Sequence, residues 1–465
     1  MNPKGNKGIG IDLSGHILNL VVVEKRGKEV TLTHYRSVAL PPDIPSREER
    51  NAALRDGLMR LAQGIDLRKG ILVIGLGGQS AFVRKMKLPP VPPNRLKQIV
   101  IYEVQQQIPF PLKEVVWDYY IPPVGKKESQ AMEVVMAAIK SEMVENYVEQ
   151  VRLALGKDPD IVEVSVLSLH NSLVYNEILE EDLVSLVISV GWNSTDILIE
   201  EGRNLAFSRS LPLGERNMLR AIMNSRGVDY SEARDILLKE SPPEARGVWE
   251  DLVTEIKRTM NYYLSQVERV TSFDEILVQG WISQHPEFMG FLSSRFSSSV
   301  RGVDPWRKIS RPPGLTNGYF SATLGLALRP VSEVSLEINL LPPPVVKKKI
   351  MERKKPYFIL SGILIPFVGA TFSAFSYQDY TITRLKLERV KKVVESFQPY
   401  IPKIKELSKK RREIEGKLHQ VYSILSRKTF WSDLFMEISR LTPSDTYIVS
   451  FRRGEVIGEK RGSRE

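Results

Sequence analysis

Tyr357 to Tyr377, "YFILSGILIPFVGATFSAFSY", is a 21-residue run without a charge or a strong amide. At ~1.5 Å per residue it makes a helix of about 31 Å, the thickness of a bilayer's hydrocarbon core. A buried core helix is the competing reading. The bordering "KKKIMERKK" argues against it, and Pro366 at mid-span is tolerated in lipid. The chain is therefore divided by a membrane into a long N-terminal part and a short C-terminal part. Six basic residues in 347–355 place the N-terminal side in the cytoplasm. The margin is narrow, because Arg384, Lys386, Arg389, Lys391 and Lys392 follow the span. The polar, glycine-rich opening "MNPKGNKGIGIDLSG" has no apolar signal core and supports the same orientation.

Charge follows this division. Residues 347–465 carry 26 Lys+Arg against 13 Asp+Glu, a net +13, which leaves −2 before Lys347. A nucleic-acid-binding enzyme usually carries its basic patch on the folded body, so the charge distribution argues against that class. The absence of cysteine excludes disulfides, thiolate metal sites and cysteine catalysis. The five histidines show no metal-ligand spacing. The 42% apolar and 26% charged fractions are those of a globular protein, with room for several domains.

Residues 7–25, "KGIGIDLSGHILNLVVVEK", read as strand, tight turn at Ser14-Gly15, and strand. An Asp ending a first strand before a small-residue turn fits the start of an actin-like ATPase, and equally an ordinary hairpin. "IGLGGQS" at 74–80 lacks the spacing of a dinucleotide fingerprint and reads as a loop. "EMVENYVEQVRLAL" at 142–155 puts Met143, Tyr147, Val151 and Leu155 on one helix face.

The stretch 83–120 carries Arg84, Leu88-Pro89, Glu103, Ile108-Pro109-Phe110 and Asp118-Tyr119. With "EIKRTMNYYLSQ" (255–266) and "YFSATLGLALRP" (319–330), it resembles the type IV pilus assembly protein PilM over residues 1–330. The resemblance implies an α/β, actin-like, two-lobed ATPase fold with a subdomain inserted at about 82–165. It also implies a nucleotide site formed by Asp12, Ser14, Asn19, Ser189, Gly191, Gly214 and Gly280. That site departs from the family. Asp12-Leu-Ser-Gly-His-Ile-Leu-Asn19 stands where Asp-Ile-Gly-Ser-Ser-Ser-Ile-Lys is usual, so Gly has become Ser14 and Lys has become Asn19. Ser189-Val-Gly191 replaces Asp-Ile-Gly. Ala233-Arg-Asp-Ile-Leu237 lacks the family's Glu and Lys. Gly280-Trp281 replaces Gly-Gly, and the tryptophan would crowd a base. Phosphoryl transfer rests on positioning and charge stabilisation. The losses together predict a binding protein without ATP turnover, holding ATP and Mg²⁺ weakly if at all.

"INLLP", Ile338-Asn339-Leu340-Leu341-Pro342, resembles the N-terminal motif of PilN, the membrane partner whose peptide docks on PilM. In that family a basic stretch, one membrane helix, a periplasmic coil and a ferredoxin-like domain follow. The expected order here is body 1–330, docking peptide and basic linker 331–356, span 357–377, helical coil 378–428 and a partial ferredoxin-like segment 429–465. Helices are expected at 380–397 and 403–426, broken by Pro399 and Pro402. Ile404, Leu407, Ile414, Leu418, Val421 and Leu425 form a coiled-coil seam interrupted by Arg411. Small pairs in the span, Gly369/Ser373 and Ala370/Ala374, allow close helix approach. A dimer or higher assembly through the tail is expected. The eight residues Pro330–Glu337 reach at most about 28 Å. The peptide therefore docks on its own body if the groove lies within that reach, and otherwise on a neighbour. No metal site is expected.

The reading is a single-pass, inner-membrane scaffold of a type IV pilus-type machine, with a PilM-like body and PilN-like tail. Its expected partners are PilO-like platform proteins and motor ATPases or ring components. A nucleotide-regulated actin-like ATPase controlling pilus assembly and a type II secretion platform protein are the alternatives.

Overall fold

The computed structural model describes residues 2–441 and 443 except 90–92, 109, 123–131, 241, 268 and 311–319. Pro109 of the Ile-Pro-Phe step and the strand expected beyond Pro443 lie outside the described residues. The chain divides into two units, Met1–Lys354 and Lys355–Glu465.

The first unit opens with strands β1 (Lys7–Asp12), β2 (Ile17–Arg26) and β3 (Glu29–Ala39), helix α1 (Arg47–Ala62) and strand β4 (Ile71–Leu76). Then come β5 (Ala81–Leu88), α2 (Pro93–Gln107), β6 (Val115–Tyr120), β7 (Met132–Lys140) and α3 (Ser141–Leu155). Strand β8 (Ile161–Val164) and helix α4 (Ser165–Tyr175) complete the first lobe's run. The second lobe holds β9 (Val184–Val190), β10 (Thr195–Glu201) and β11 (Asn204–Leu211). Helices α5 (Glu215–Arg226), α6 (Tyr230–Lys239) and α7 (Pro243–Gln266) follow, then β12 (Glu275–Gln279), α8 (Pro286–Arg295) and β13 (Ser299–Gly302). Helix α9 (Ser321–Leu328) returns to the first lobe, packing on β1 and α4.

The two large sheets repeat one pattern. Their orders are β3-β2-β1-β4-β8 and β11-β10-β9-β12-β13. In each, three strands pair antiparallel and the remaining two join in parallel. A third sheet, β5-β7-β6, belongs to the inserted segment. The consecutive apolar run of β2 is explained by burial on both faces. Leu18, Leu20 and Val22 join the cluster holding Leu54, Leu58 and Leu61 of α1. Val21 and Val23 join the one holding Leu324, Ala327 and Leu328 of α9.

Helix α3 turns its stripe slightly from the expected one. Val144, Val148 and Val151 are buried, whereas Met143 is 37% exposed. Helix α10 (Pro343–Phe397) starts well ahead of the apolar run and contains all of it. Its most apolar 18-residue window has mean hydropathy 2.0, and none of it is buried within the structure. This is a helix long and apolar enough to cross a membrane. A 3₁₀ turn, Gln398–Tyr400, separates it from α11 (Ile401–Leu441). Pro402 sits in the first turn of α11, where its missing N–H has no intrahelical partner to lose. Helix α11 continues through residue 428 without a break. The seam residues from Ile404 to Leu425 are exposed.

Candidate functional site

Two hairpin turns, β1–β2 and β9–β10, meet between the lobes. Asp12, Ser14, Asn19, Ser189, Gly191 and Gly280 line one cavity there, as the resemblance implies. The cavity measures only about 90 Å³, whereas small-molecule sites span roughly 300–1,000 Å³. Side chains fill the remainder. The rings of His16 and Trp192, one from each turn, lie 3.6 Å apart between centroids at 35°. Tyr230 of α6 closes on both: its hydroxyl is 2.8 Å from His16 Nε2, and its ring meets Trp192 edge-on. Trp281, expected to crowd a base, is buried in the wall.

The polar groups are engaged with one another. Asp12 Oδ1 accepts from the Ser14 amide at 3.0 Å and from Ser165 Oγ at 2.7 Å. Burial raises the Asp12 pKa, partly offset by these bonds. Asp196 is half-buried beside it, accepts from Ser210 Oγ, and is pushed up to about 6 by desolvation, with Asp12 adding to the rise. Ser189 Oγ donates to Gln279, and Asn19 Oδ1 accepts from Ser37 Oγ at 2.6 Å. Glu215, at the start of α5, is pushed up to about 7 by burial, against the pull of Arg234. Burial and then Arg234 lower His16 to about 4. Arg234 thus puts a cation near the cleft. Ala233 and Leu237 of the same helix are buried core residues.

The glycines have structural reasons. Gly280 adopts φ +109°, and a Cβ there would stand 2.4 Å from the Val190 carbonyl oxygen. Gly214 caps α5 beside the cavity, and a Cβ would meet Trp192 O at 2.5 Å. Six of the seven positions implied by the resemblance line this cavity and Gly214 stands beside it, whereas the plug was not foreseen. Trp192, directly after Gly191, was its one visible sign. Among the described residues no group of His, Asp and Glu is arranged to hold a metal ion.

The second site is formed by residues 335–342 on the first lobe. Ile338 and Leu340 are fully buried, with Leu341 and Pro342 also buried. Ile338, Leu340 and Leu341 join the cluster containing Val162 and Val164 of β8. Asn339 organises the turn. Its amide donates to Asp118 Oδ2 at 2.8 Å. Its Oδ1 accepts from the Val162 and Leu341 amides at 3.2 and 3.1 Å. The Leu340 amide donates to Val162 O at 2.7 Å, so the segment adds to the free edge of β8. Just upstream, Asn171 both donates to and accepts from the Leu336 backbone, and Ser335 Oγ lies 2.8 Å from His170 Nε2. Glu337 pairs with Lys4 at 2.7 Å and with fully buried Arg329 at 3.1 Å. Arg329 also faces buried Glu163 at 3.6 Å, whose carboxyl burial pushes up to about 7. Pro342 O accepts from Val345 and Val346, opening α10, and Lys348 and Lys349 pair with Asp158 and Asp160 at 2.7 Å. The peptide is thus seated on its own chain.

Comparisons agree with this architecture. The family model "Type IV pilus assembly protein PilM" matches residues 10–329. A solved "PilM-PilN type IV pilus biogenesis complex" is similar with a TM-score of 0.62 and 24% identity, covering 71% of this chain and 100% of that one. The ethanolamine utilization protein EutJ from Carboxydothermus hydrogenoformans is similar with a TM-score of 0.39 and 12% identity, over 70% of this chain and 92% of that one. A Bacteroides thetaiotaomicron protein with an actin-like ATPase fold and unknown function gives 0.40 and 12%, over 69% and 95%. The duplicated sheets are the actin-like, two-lobed fold implied by the sequence. With its model matched over more than half of the chain, the family is shown: this chain belongs to the type IV pilus assembly protein PilM family.

Proposed function

We propose that the chain is a PilM-like body fused to a PilN-like tail. In this reading it is a single-pass scaffold of a type IV pilus-type inner-membrane platform that works by binding. The observation that carries it is the seating of residues 338–342 on the edge of β8, immediately before a helix that contains a candidate membrane span. The basic flank 347–355 supports an N-terminal unit in the cytoplasm and a tail on the other side. The exposed seam of α11, with Lys403 and Lys417 one position before Ile404 and Leu418 and with Lys410 before the interrupting Arg411, suits an acidic helical partner such as a PilO-like protein. Motor ATPases or ring components are the partners proposed for the body.

Turnover has no place in this reading. The tilted His16–Trp192 pair stands between the β1–β2 and β9–β10 turns, and Asp12 is held by Ser14 and Ser165. A nucleoside triphosphate with Mg²⁺ exceeds the cavity that remains. The full chain in detergent, assayed for phosphate release with Mg²⁺ and ATP, should give the rate of buffer alone. Release that disappears in Asp12→Ala would replace this reading with the nucleotide-regulated ATPase.

A further inference from the structure

We propose that the mouth of the interlobe cleft is a binding site for a small organic phosphate monoester carrying a planar apolar group. A cavity of about 580 Å³ borders the plug, lined by residues of both lobes. His16 and Trp192 line both this space and the small inner one. Its volume is that of a small-molecule site. The site lies outside the plug, so it stands whether or not the inner cleft turns over nucleotide.

The lining has two characters. Leu40, Pro41, Met143, Tyr147, Trp192 and Pro212 supply apolar and aromatic walls. Arg50, Arg216 and Arg220 supply three guanidinium groups, and no carboxylate lines the cavity among the described residues. Arg216 and Arg220 stand one turn apart on α5, so their side chains share a face. Both reach across to Asp43, in the loop between β3 and α1; Arg220 Nη2 is 3.0 Å from its Oδ1. The bond from Arg216 is the main cause holding Asp43 below the usual carboxylate range. Arg50 Nη2 donates to the Ile44 carbonyl at 3.3 Å. Arg216 Nε is buried without an acceptor among the described residues.

One carboxylate thus serves two guanidinium groups, while a third meets a neutral carbonyl and one N–H lacks a partner. A phosphate monoester carries roughly −1.5 to −2 charges and three strong acceptor oxygens, which matches this surplus better than a second carboxylate would. Its apolar group would rest against Tyr147 and Trp192. The phosphate would compete with Asp43, which belongs to the first lobe, for arginines of the second. Binding would therefore exchange a tie between the lobes for one through the ligand.

Isothermal titration of the full chain in detergent, at fixed ionic strength, tests this with three probes: inorganic phosphate, phenyl phosphate and AMP without metal. Phenyl phosphate, AMP or both should bind one per chain and more tightly than inorganic phosphate. Preference for AMP would point to a nucleotide, and equal affinity to aryl phosphates in general. Arg216→Gln and Arg220→Gln should each weaken binding about tenfold or more, the loss of one charge-assisted bond. Asp43→Asn should strengthen it, because the competing carboxylate is gone; a merely structural latch would not give that gain. The proposal is overturned if neither organic probe binds, or if Asp43→Asn binds no better than the parent. It is also overturned if binding is lost in Asp12→Ala while Arg216→Gln leaves it unchanged, which would assign the ligand to the inner cleft.

Discussion

At the scale of single residues, the cleft shows two kinds of change. Asn19 and Ser189 stand where the resemblance leads one to expect Lys and Asp, and that expectation is legible in the linear chain because each has a place in a motif. His16 and Trp192 form a plug, and beyond the presence of Trp192 after Gly191 the chain gives no sign of it. They lie in turns of different lobes, and only the tertiary fold brings their rings together. The plug has a testable pH signature. His16 is a base held below its ordinary 6.5, at about 4, chiefly by burial. The unfolded chain therefore takes up this proton more readily than the folded one. The stabilisation by the neutral ring is full above about pH 6.5 and is lost progressively as pH falls towards about 4. Thermal unfolding of the parent and of His16→Gln across that window should show the parent's advantage shrinking by a few degrees. A difference that stays constant from pH 7 to about pH 4 would mean that the ring's charge state is irrelevant to the plug.

At the scale of elements, the segment 338–342 was legible by its resemblance and its position, and its apolar residues are buried as that reading expected. Whether it would meet its own body or a neighbour was not legible. That depended on where the edge of β8 lies, which the order of strands in the sheet decides. The stripe of α3 was misplaced by about one position. Met143, placed on the apolar face, lines the open cavity, while Val144, Val148 and the expected Val151 are buried in the core. A helix stripe read from spacing alone leaves this much rotation undetermined. The seating of the segment gives a mutational prediction. Asn339→Ala removes an acceptor shared by two backbone amides, and should cost about 1–3 kcal/mol by leaving them unsatisfied. Leu340→Ala should cost about 2–5 kcal/mol through the cavity it leaves. Chemical denaturation of the full chain in detergent measures both. Values near zero would mean the segment is a tether that contributes nothing to the fold of the body.

At the scale of the whole molecule, the proposed division into body, span and tail rests on one uncharged run and the distribution of charge. The duplicated lobe was legible only through family resemblance, since the two sheets share their order and not their residues. Topology is directly testable because the chain has no cysteine. Lys28→Cys, in an exposed turn of the body, and Ser408→Cys, on α11, give two reporters. In cells, an impermeant maleimide should label only the second. Labelling of Lys28→Cys alone would reverse the proposed orientation.

The short connection between body and segment also bears on how copies are counted in a cell. Where a groove and its peptide are separate products, either can be made in excess, and the surplus competes or is degraded. Here each groove is synthesised together with its occupant, so their ratio is one to one at any level of expression. A segment that lets go is still tethered by the residues after Pro330, and it returns to the same groove before a free peptide at low concentration can arrive. Exchange of this component within an assembly should therefore proceed by replacing whole chains, not by trading halves.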